Sequence, residues 1–422
     1  MQELQFPKGL RVTSEIGRLR SVMTHSPGRE IDRMIPAMMN DLLFEDILFG
    51  AAARDEHKHF RQLLSLAADQ VLEIQDVLAR TLETEEVRSS FIDAVSQLEQ
   101  LKPATKERLS SLSSVDLADA VIGGLEHDDG SFGWSLTPLP NLLFVRDPLV
   151  VAQEGAILGS MARKARRREP LIMHYAYGFH PELGLHKNEK FLFDDLAKPE
   201  YLQRNVLPGL EGGDIAVLSD KVLLIGRSER TNEVAVDLLA NSLMHNSSYE
   251  TILMVLLPEE RALMHLDTVF SFTSENECLV YPPLFLGDTP QLCPVVKKDI
   301  RRGHVHSELK PSLLSALKDE GLDIKPISCG GDDPIAQQRE QWTDGANAVA
   351  IAPGNIILYQ RNHKTIEQLL KADYRVVTAE ESRVAGSKLF DPNKKTVFLM
   401  EGPELSRARG GPHCMTMPLY RD

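Results

Sequence analysis

The sequence predicts an α/β fold assembled from repeated units of two strands, a helix and a third strand. The clearest unit begins at residues 215–226, where two apolar runs flank a polar Ser-Asp-Lys turn, the pattern of a hairpin. A helical apolar stripe follows at 233–243, and a short apolar run at 251–258 predicts a buried strand. Repeats of this kind can close into a ring with their hairpins facing a common axis.

Three further segments repeat the order. A second copy spans residues 268–331, and a third copy begins at 348 and is expected to end in the run RVVTAEES at 375–382. Residues 19–74 form an earlier, degenerate copy with a strand pattern, a helix pattern and the run VLEI. A ring would bring residues from distant copies to one centre, so it also predicts a shared site.

Residues 75–124 break this pattern. The segment is rich in helix-forming residues, lacks β-branched runs and contains cap-like Thr-x-x-Glu and Ser-x-x-Asp steps. We therefore expect residues 1–74 and 125–422 to form the main domain, with 75–124 as an inserted helical bundle. A structural role, covering one side of the domain or contacting another subunit, is the expectation for this bundle.

The bulk composition is that of an ordinary globular protein, with 422 residues, 42% hydrophobic residues and 26% charged residues. Its net charge of -14 argues against nucleic acid and anionic membranes as partners. The longest apolar run, 252–258, is too short to span a bilayer, and the N-terminal segment lacks the apolar core of a signal peptide. Four widely spaced cysteines indicate a reducing compartment, so a cytoplasmic location is expected.

One of these cysteines, Cys414, is a candidate nucleophile. A single cysteine near a terminus is more often a passive buried thiol. However, Cys414 follows the run Gly-Gly-Pro-His, which holds the backbone close to its neighbours. The nearby cations Arg407, Arg409 and His413 would favour the thiolate.

Three acidic runs lie upstream at the ends of apolar segments: FVRDP with Asp147, EGGD with Glu211, and MHLD with His265 and Asp267. In an extended segment His265 and Asp267 would point to the same face, as a general acid or base beside a fixed anion. Taken singly, each run is explained equally well by a turn or a capping pair. No HExxH or CxxC spacing is present, so no metal site is expected.

Taken together, these runs carry a family resemblance. The runs PNLLFVRDP, EGGD, SERT, MHLDTVFSF, REQWTDGAN and GGPHCM, in this order, resemble the arginine deiminases of the guanidine-modifying superfamily. The likeness extends from about residue 17 to the C-terminus and includes the helical insertion. It implies a five-bladed, pseudo-symmetric ββαβ barrel and the hydrolysis of L-arginine to L-citrulline and ammonia.

The resemblance also implies a role for each residue that matches the family's motifs. Cys414 would be the nucleophile and His265 the acid and base, with Glu211 orienting His265 or the reacting group. Asp147 and Asp267 would hold the guanidinium. Arg166, Arg230 and Arg409 would hold the substrate's carboxylate. Asn141 and Phe144 would line the pocket, and the backbone carbonyl of Leu43 would meet the substrate's amine. No cofactor is implied, and a homo-oligomer is expected.

This chemistry fits the residues. A guanidinium stays protonated near neutral pH, and paired carboxylates hold it planar so that a thiolate can add to its central carbon. The carboxylates should disfavour the thiolate in the empty site, whereas the bound cation should favour it. Four alternatives stay open: an amidinotransferase, a dimethylarginine hydrolase, a cysteine peptidase, and an inactive barrel that binds arginine.

Overall fold

A computed structural model of the protein describes residues 9–183, 191–194, 206–287, 293–301 and 303–422. The strands are β1 (Leu19–Thr24), β2 (Gln70–Glu73), β3 (Leu125–Glu126), β4 (Trp134–Leu136), β5 (Leu149–Ala152), β6 (Gly155–Leu158), β7 (Phe191–Phe193), β8 (Ile215–Val217), β9 (Val222–Arg227), β10 (Thr251–Leu256), β11 (Phe270–Ser274), β12 (Glu277–Val280), β13 (Val295–Asp299), β14 (His306–Lys310), β15 (Lys325–Ser328), β16 (Val349–Ala352), β17 (Asn355–Tyr359), β18 (Arg375–Val377), β19 (Thr396–Met400) and β20 (Met417–Arg421).

The α-helices are α1 (Arg29–Asp32), α2 (Met39–Leu42), α3 (Gly50–Leu64), α4 (Ile74–Thr81), α5 (Glu85–Glu99), α6 (Pro103–Ser111), α7 (Ser114–Gly123), α8 (Arg168–Gly178), α9 (Glu233–Asn246), α10 (Pro282–Phe285), α11 (Leu313–Asp319), α12 (Pro334–Trp342), α13 (His363–Lys371) and α14 (Ala379–Ala385). The fold is therefore mixed α/β, as the sequence predicts.

Five sheets in the described part of the chain share one plan, an antiparallel pair of strands extended by a parallel strand. The five sets are β20–β1–β2, β5–β6–β7, β8–β9–β10, β11–β12–β15 and β16–β17–β19. A parallel neighbour requires a crossover, and a helix provides it in the predicted units. The predicted order of strand, strand, helix and strand is thus confirmed for the copy at 215–258. In the copy at 268–331, β13 and β14 lie between α10 and α11 and extend the sheet of β10, and β15 then completes the sheet of β11 and β12.

The unit at 215–258 illustrates why these residues fold locally. The strands β8 and β9 pair around the predicted polar turn, where Leu218 N–H donates to the carbonyl of Val222. Asn232 then caps α9 by accepting from the N–H of Ala235, which satisfies one of the free donors at the helix start. The first five residues of β10 are buried, as expected for a strand covered on both faces.

Two strands pair differently from the sequence prediction. The run RVVTAEES does not close the last unit beside β17, because β19 lies between β17 and β18. All five residues of β19 are buried, whereas β18 starts with exposed Arg375, so the more apolar strand takes the interior position. In addition, β20 at the C-terminus pairs with β1 and supplies the strand that the degenerate first copy lacks.

Four consecutive helices, α4 to α7, fill the segment between β2 and β3. Helix α4 packs on α7, α5 packs on α6, and both α4 and α5 contact α8 of the second sheet unit. Ser113 caps α7 by accepting from the N–H of Asp116, which is the predicted Ser-x-x-Asp step.

The apolar run at 252–258 forms most of β10 and the residues that follow it. Within the described ranges, every helix is too short or too polar to traverse a lipid bilayer. Residues 1–8, which begin the segment where no signal peptide is expected, lie outside the described residues.

Candidate active site

The predicted site residues come together in one cleft, although they come from segments far apart in the sequence. Nine of them line it: Leu43, Asn141, Phe144, Asp147, Arg166, Arg230, His265, Arg409 and Cys414. The other two lie directly behind the lining. Glu211 contacts the ring of His265, and Asp267 contacts the sulfur of Cys414.

Cys414 is held by two neighbours, one predicted and one not. Its Sγ lies 3.3 Å from Oδ2 of Asp267 and 3.1 Å from Nδ2 of Asn347. Oδ1 of Asn347 also accepts from the backbone N–H groups of His413 and Cys414. Asn347 therefore fixes the loop and offers the sulfur a hydrogen-bond donor. It belongs to the REQWTDGAN run, which the sequence singled out without assigning it a role.

The surroundings of Cys414 favour the neutral thiol in the absence of substrate. Burial raises the pKa of Cys414 well above its usual range, and the carboxylates of Asp267, Asp147 and Asp344 raise it further. The expectation that Arg407 would favour the thiolate is wrong, because Arg407 pairs with acidic side chains outside the cleft. The expectation that the carboxylates disfavour the thiolate agrees with this direction.

His265 and Glu211 form a buried ion pair. Nε2 of His265 lies 2.9 Å from Oε2 of Glu211, and its Nδ1 lies 3.8 Å from Oδ1 of Asp147. Burial alone would lower the pKa of His265, but Asp147, Glu211 and Asp214 outweigh burial and raise it to about 10. Burial alone would raise the pKa of Glu211, but His265 and Arg166 lower it to about 2. The ring thus carries a proton that it can donate.

Arg166 spans the acidic wall of the cleft. Its Nη1 lies 2.8 Å from Asp147 and 3.4 Å from Glu211. Its Nε and Nη2 form a two-pronged pair with Glu169, at 3.0 and 2.8 Å. Glu169 was not predicted, although it follows Arg166 by three residues. In this structure the guanidinium of Arg166 faces the protein's own carboxylates.

Two glycines let these groups approach closely. A Cβ on Gly213 would lie 2.8 Å from Cγ and Nδ1 of His265 and 2.9 Å from Oδ1 of Asp147. A Cβ on Gly410 would collide with the ring of Phe144. Since real Cβ atoms do not approach so closely, a side chain at either position would displace a residue that lines the cleft. This explains the glycines of the EGGD and GGPHCM runs.

The other predicted contacts line the same cleft. Nε of Arg230 and both Nε and Nη1 of Arg409 are buried and have no hydrogen-bond partner among the described residues. Asn141 donates to the carbonyl of Leu42 at 2.6 Å, and Leu43 has a left-handed backbone with φ of 57°. The guanidinium donors without a hydrogen-bond partner indicate that this part of the cleft is suited to an anionic group.

Three of the site residues could also hold a cation. Asp147, Glu211 and His265 are buried and each offers a ligand atom within 4.8 Å of the others, a grouping that the sequence spacing does not reveal. Nη1 of Arg166 already contacts both carboxylates, and His265 already pairs with Glu211. The expectation that no metal is needed stays a prediction.

The profile of the family described as arginine deiminase matches residues 40–129 and 125–421. An arginine deiminase of Oenococcus oeni is 35% identical over 437 residues, covering 98% of this chain and 97% of its own length. One from Clostridium perfringens is 34% identical and covers 98% of each chain. The chain belongs to the arginine deiminase family. It is accordingly a hydrolase of C–N bonds in linear amidines, and the resemblance noted in the sequence is confirmed.

A solved structure shares the fold of this arginine deiminase family member. The structure is an amidinotransferase of Microseira wollei from the saxitoxin biosynthetic pathway, with a TM-score of 0.52 and 15% identity. The match covers 98% of this chain and 97% of that one. At this identity the likeness concerns the fold alone.

Proposed function

We propose that this protein hydrolyses L-arginine to L-citrulline and ammonia through a covalent intermediate on Cys414. The observation that supports the proposal most strongly is the position of the Cys414 sulfur. It lines the same buried cleft as Asp147 and His265 and lies 3.3 Å from Asp267. A nucleophile beside two carboxylates and a protonated histidine suits a planar cationic substrate.

In this proposal Asp147 and Asp267 bind the substrate guanidinium. Oδ1 of Asp267 is buried without a partner among the described residues, so it has capacity to accept a further hydrogen bond. The contact of Arg166 with Asp147 supports the role of Asp147, because a substrate guanidinium would make the same kind of bond. Substrate binding would then require Arg166 to share or release this carboxylate.

The substrate's carboxylate would be bound by the arginines that line the cleft. Arg230 and Arg409 are the first candidates because their guanidinium groups retain unpaired donors. Arg166 would join them only after leaving Asp147. Asn141 and Phe144 would line the pocket, and the carbonyl of Leu43 would accept from the substrate's amine.

The proposed reaction has two halves. Entry of the cationic substrate lowers the pKa of Cys414, the thiol loses its proton to solvent, and the resulting thiolate adds to the guanidinium carbon. His265 donates its proton to a terminal nitrogen, the C–N bond breaks and ammonia leaves, which forms a thiouronium on Cys414. The neutral His265 then takes a proton from water, and the hydroxide adds to the same carbon. The C–S bond breaks to release citrulline, and the hydroxyl proton of the adduct passes to the departing sulfur, which regenerates the thiol. Neither half uses a metal or an organic cofactor.

We also propose that the five sheets form the blades of a ββαβ barrel around this site. Contacts of β20 with β5, of β11 with β16, and of β1 with β16 support the proposal, because each joins two different sheets. Residues 1–74 and 125–422 would form the barrel, and residues 75–124 would be the inserted bundle. From the resemblance we further expect a homo-oligomer, either a dimer or a tetramer, and from the cysteine usage a cytoplasmic location.

The experiment that tests the proposal measures citrulline and ammonia after incubation with L-arginine, with and without glycine as an acceptor. Equal amounts of both products, unaffected by glycine, are expected. The variant C414S should abolish turnover and still bind arginine. Release of ornithine with transfer of the amidino group to glycine would establish an amidinotransferase instead. No turnover of arginine by the wild-type protein would overturn the proposal.

A further inference from the structure

Trp342 lies at the end of α12, against one of the arginines of the cleft. The Cζ atom of Arg409 lies 3.4 Å from the centroid of the Trp342 ring, which is stacking distance. Arg409 is only 6% exposed, whereas Trp342 is 45% exposed. The indole therefore separates the guanidinium of Arg409 from solvent. Trp342 does not itself line the cleft.

We infer that Trp342 is a positioning residue that adapts Arg409 for binding the substrate's carboxylate. The inference rests on the proposed function. A guanidinium has all its N–H donors in its plane, so a partner stacked on its face uses none of them. This matches the structure, where Nε and Nη1 of Arg409 have no partner among the described residues.

The contrast with Arg166 supports the inference. Arg166 is fixed by carboxylates, which engage its in-plane donors. Arg409 is fixed by an aromatic face, and its donors stay available for a ligand. Within one cleft, the two guanidinium groups are therefore prepared for different tasks. Of these two, the arrangement of Arg409 gives a buried cation whose Nε and Nη1 donors remain available to an incoming anion.

Helix α12, which carries Trp342, is itself held in place by hydrogen bonds. Asp333 caps α12 by accepting from the N–H of Ile335, and Gln341 donates to the carbonyl of Ala262 at 2.7 Å. Nη2 of Arg409 makes a weak contact, 3.5 Å, with the same carbonyl. The backbone of Arg409 is left-handed with φ of 63°, a conformation that a non-glycine residue adopts at some cost. The position of this side chain is thus specified from both the helix and the loop.

The test compares W342L and W342F with the wild-type enzyme on L-arginine and on agmatine, which lacks the carboxylate. W342L should raise KM for arginine about 3- to 30-fold, the equivalent of a cation–π contact, with kcat changed less than about twofold. Its kcat/KM for agmatine should match that of the wild type. W342F keeps an aromatic face, so its affinity for arginine should be closer to that of the wild type than to that of W342L. If W342L does not fold, the comparison of W342F with the wild type on both substrates tests the inference instead.

The chain offers a matched control in its other tryptophan. The Cζ atom of Arg33 lies 5.4 Å from the centroid of the Trp134 ring, away from the cleft. W134L therefore makes the same chemical change, and it should leave KM for arginine unchanged. Binding can be followed separately through the fluorescence of Trp342 in the double variant W134F/C414S. Arginine should change this signal at concentrations where agmatine does not.

Equal losses for arginine and agmatine in W342L would contradict the inference and indicate a general structural role. An unchanged KM for arginine would contradict it as well. If the wild-type enzyme hydrolyses arginine, either of these two results leaves the proposed function intact. A wild-type enzyme that neither binds nor hydrolyses arginine would refute both.

Discussion

The substitution D267N should have two effects that go in opposite directions. In the substrate-free enzyme it should lower the pKa of Cys414, because it removes a negative charge beside the sulfur. In catalysis it should slow the enzyme, because it removes one of the two carboxylates proposed to hold the guanidinium. A variant with a more acidic nucleophile and less activity is difficult to explain unless Asp267 acts on the substrate.

The distances in the structure set the size of both effects. At an effective dielectric constant of about 20, a thiolate and a carboxylate 3.3 Å apart repel each other by about 5 kcal/mol. Asparagine removes this repulsion, and its amide can donate a hydrogen bond to the thiolate. Loss of one partner from a buried ion pair costs about 3–5 kcal/mol, so kcat/KM for arginine should fall by about 100- to 5,000-fold.

The thiolate can be measured directly by its ultraviolet absorbance as a function of pH, after subtraction of the C414S spectrum. The thiolate of D267N should appear at lower pH than that of the wild type. Asp332, an exposed acid in the second Gly-Gly-Asp run, provides the control variant D332N, which should change neither the titration nor the activity. The reasoning is refuted if the pKa of Cys414 in D267N is unchanged or higher.

Three other predictions follow from the structure. G213A should lower kcat by about 100-fold or more because its Cβ would displace the ring of His265. The control G123A, where a Cβ meets only ordinary contacts, should be fully active. An active G213A would count against the geometry. Burial lowers the pKa of His25, but Glu30 and Glu73 outweigh burial and raise it from 6.5 to about 10. His25 should therefore stabilise the fold below pH 6.5 and lose this contribution as the pH rises to about 10. The free energy of unfolding measured in urea should therefore fall more steeply with pH across this window in the wild type than in H25Q. An equal dependence on pH in the two proteins would contradict the assignment. Dialysis against EDTA should leave arginine hydrolysis unchanged, and recovery of lost activity by added zinc or manganese would instead establish a metal at the acidic cluster.

Much of the site could be predicted from the sequence because its residues lie in short, separate runs with distinctive composition. Glycines beside acids, as in EGGD, indicate close backbone approach, and the structure places Gly213 between His265 and Asp147. The strand and helix patterns are also local, so the unit at 215–258 follows from periodicity. The unit at 268–331 follows only in part, because β13 and β14 within it pair with β10 of the preceding unit. The family resemblance then assigns the roles that composition leaves open.

The parts that could not be predicted depend on contacts between distant segments. The sequence pattern does not distinguish β18 from β19 as the neighbour of β17, since this choice depends on what each strand packs against. The same holds for Asn347 and Glu169, whose residue types are common on any surface. Arg407 misled the prediction because proximity in sequence to Cys414 does not determine which way its side chain turns.

The covalent intermediate is the central claim, and mass spectrometry after rapid quenching tests it most directly. The wild-type enzyme is mixed with L-arginine, quenched in acid within the first turnovers and digested with trypsin. The peptide of residues 410–421 contains Cys414 as its only cysteine. We predict that this peptide gains the mass of arginine less ammonia, and that the gain disappears as citrulline accumulates. Citrulline formation with peptide 410–421 unmodified, or the adduct on Cys278, Cys293 or Cys329, would contradict the account.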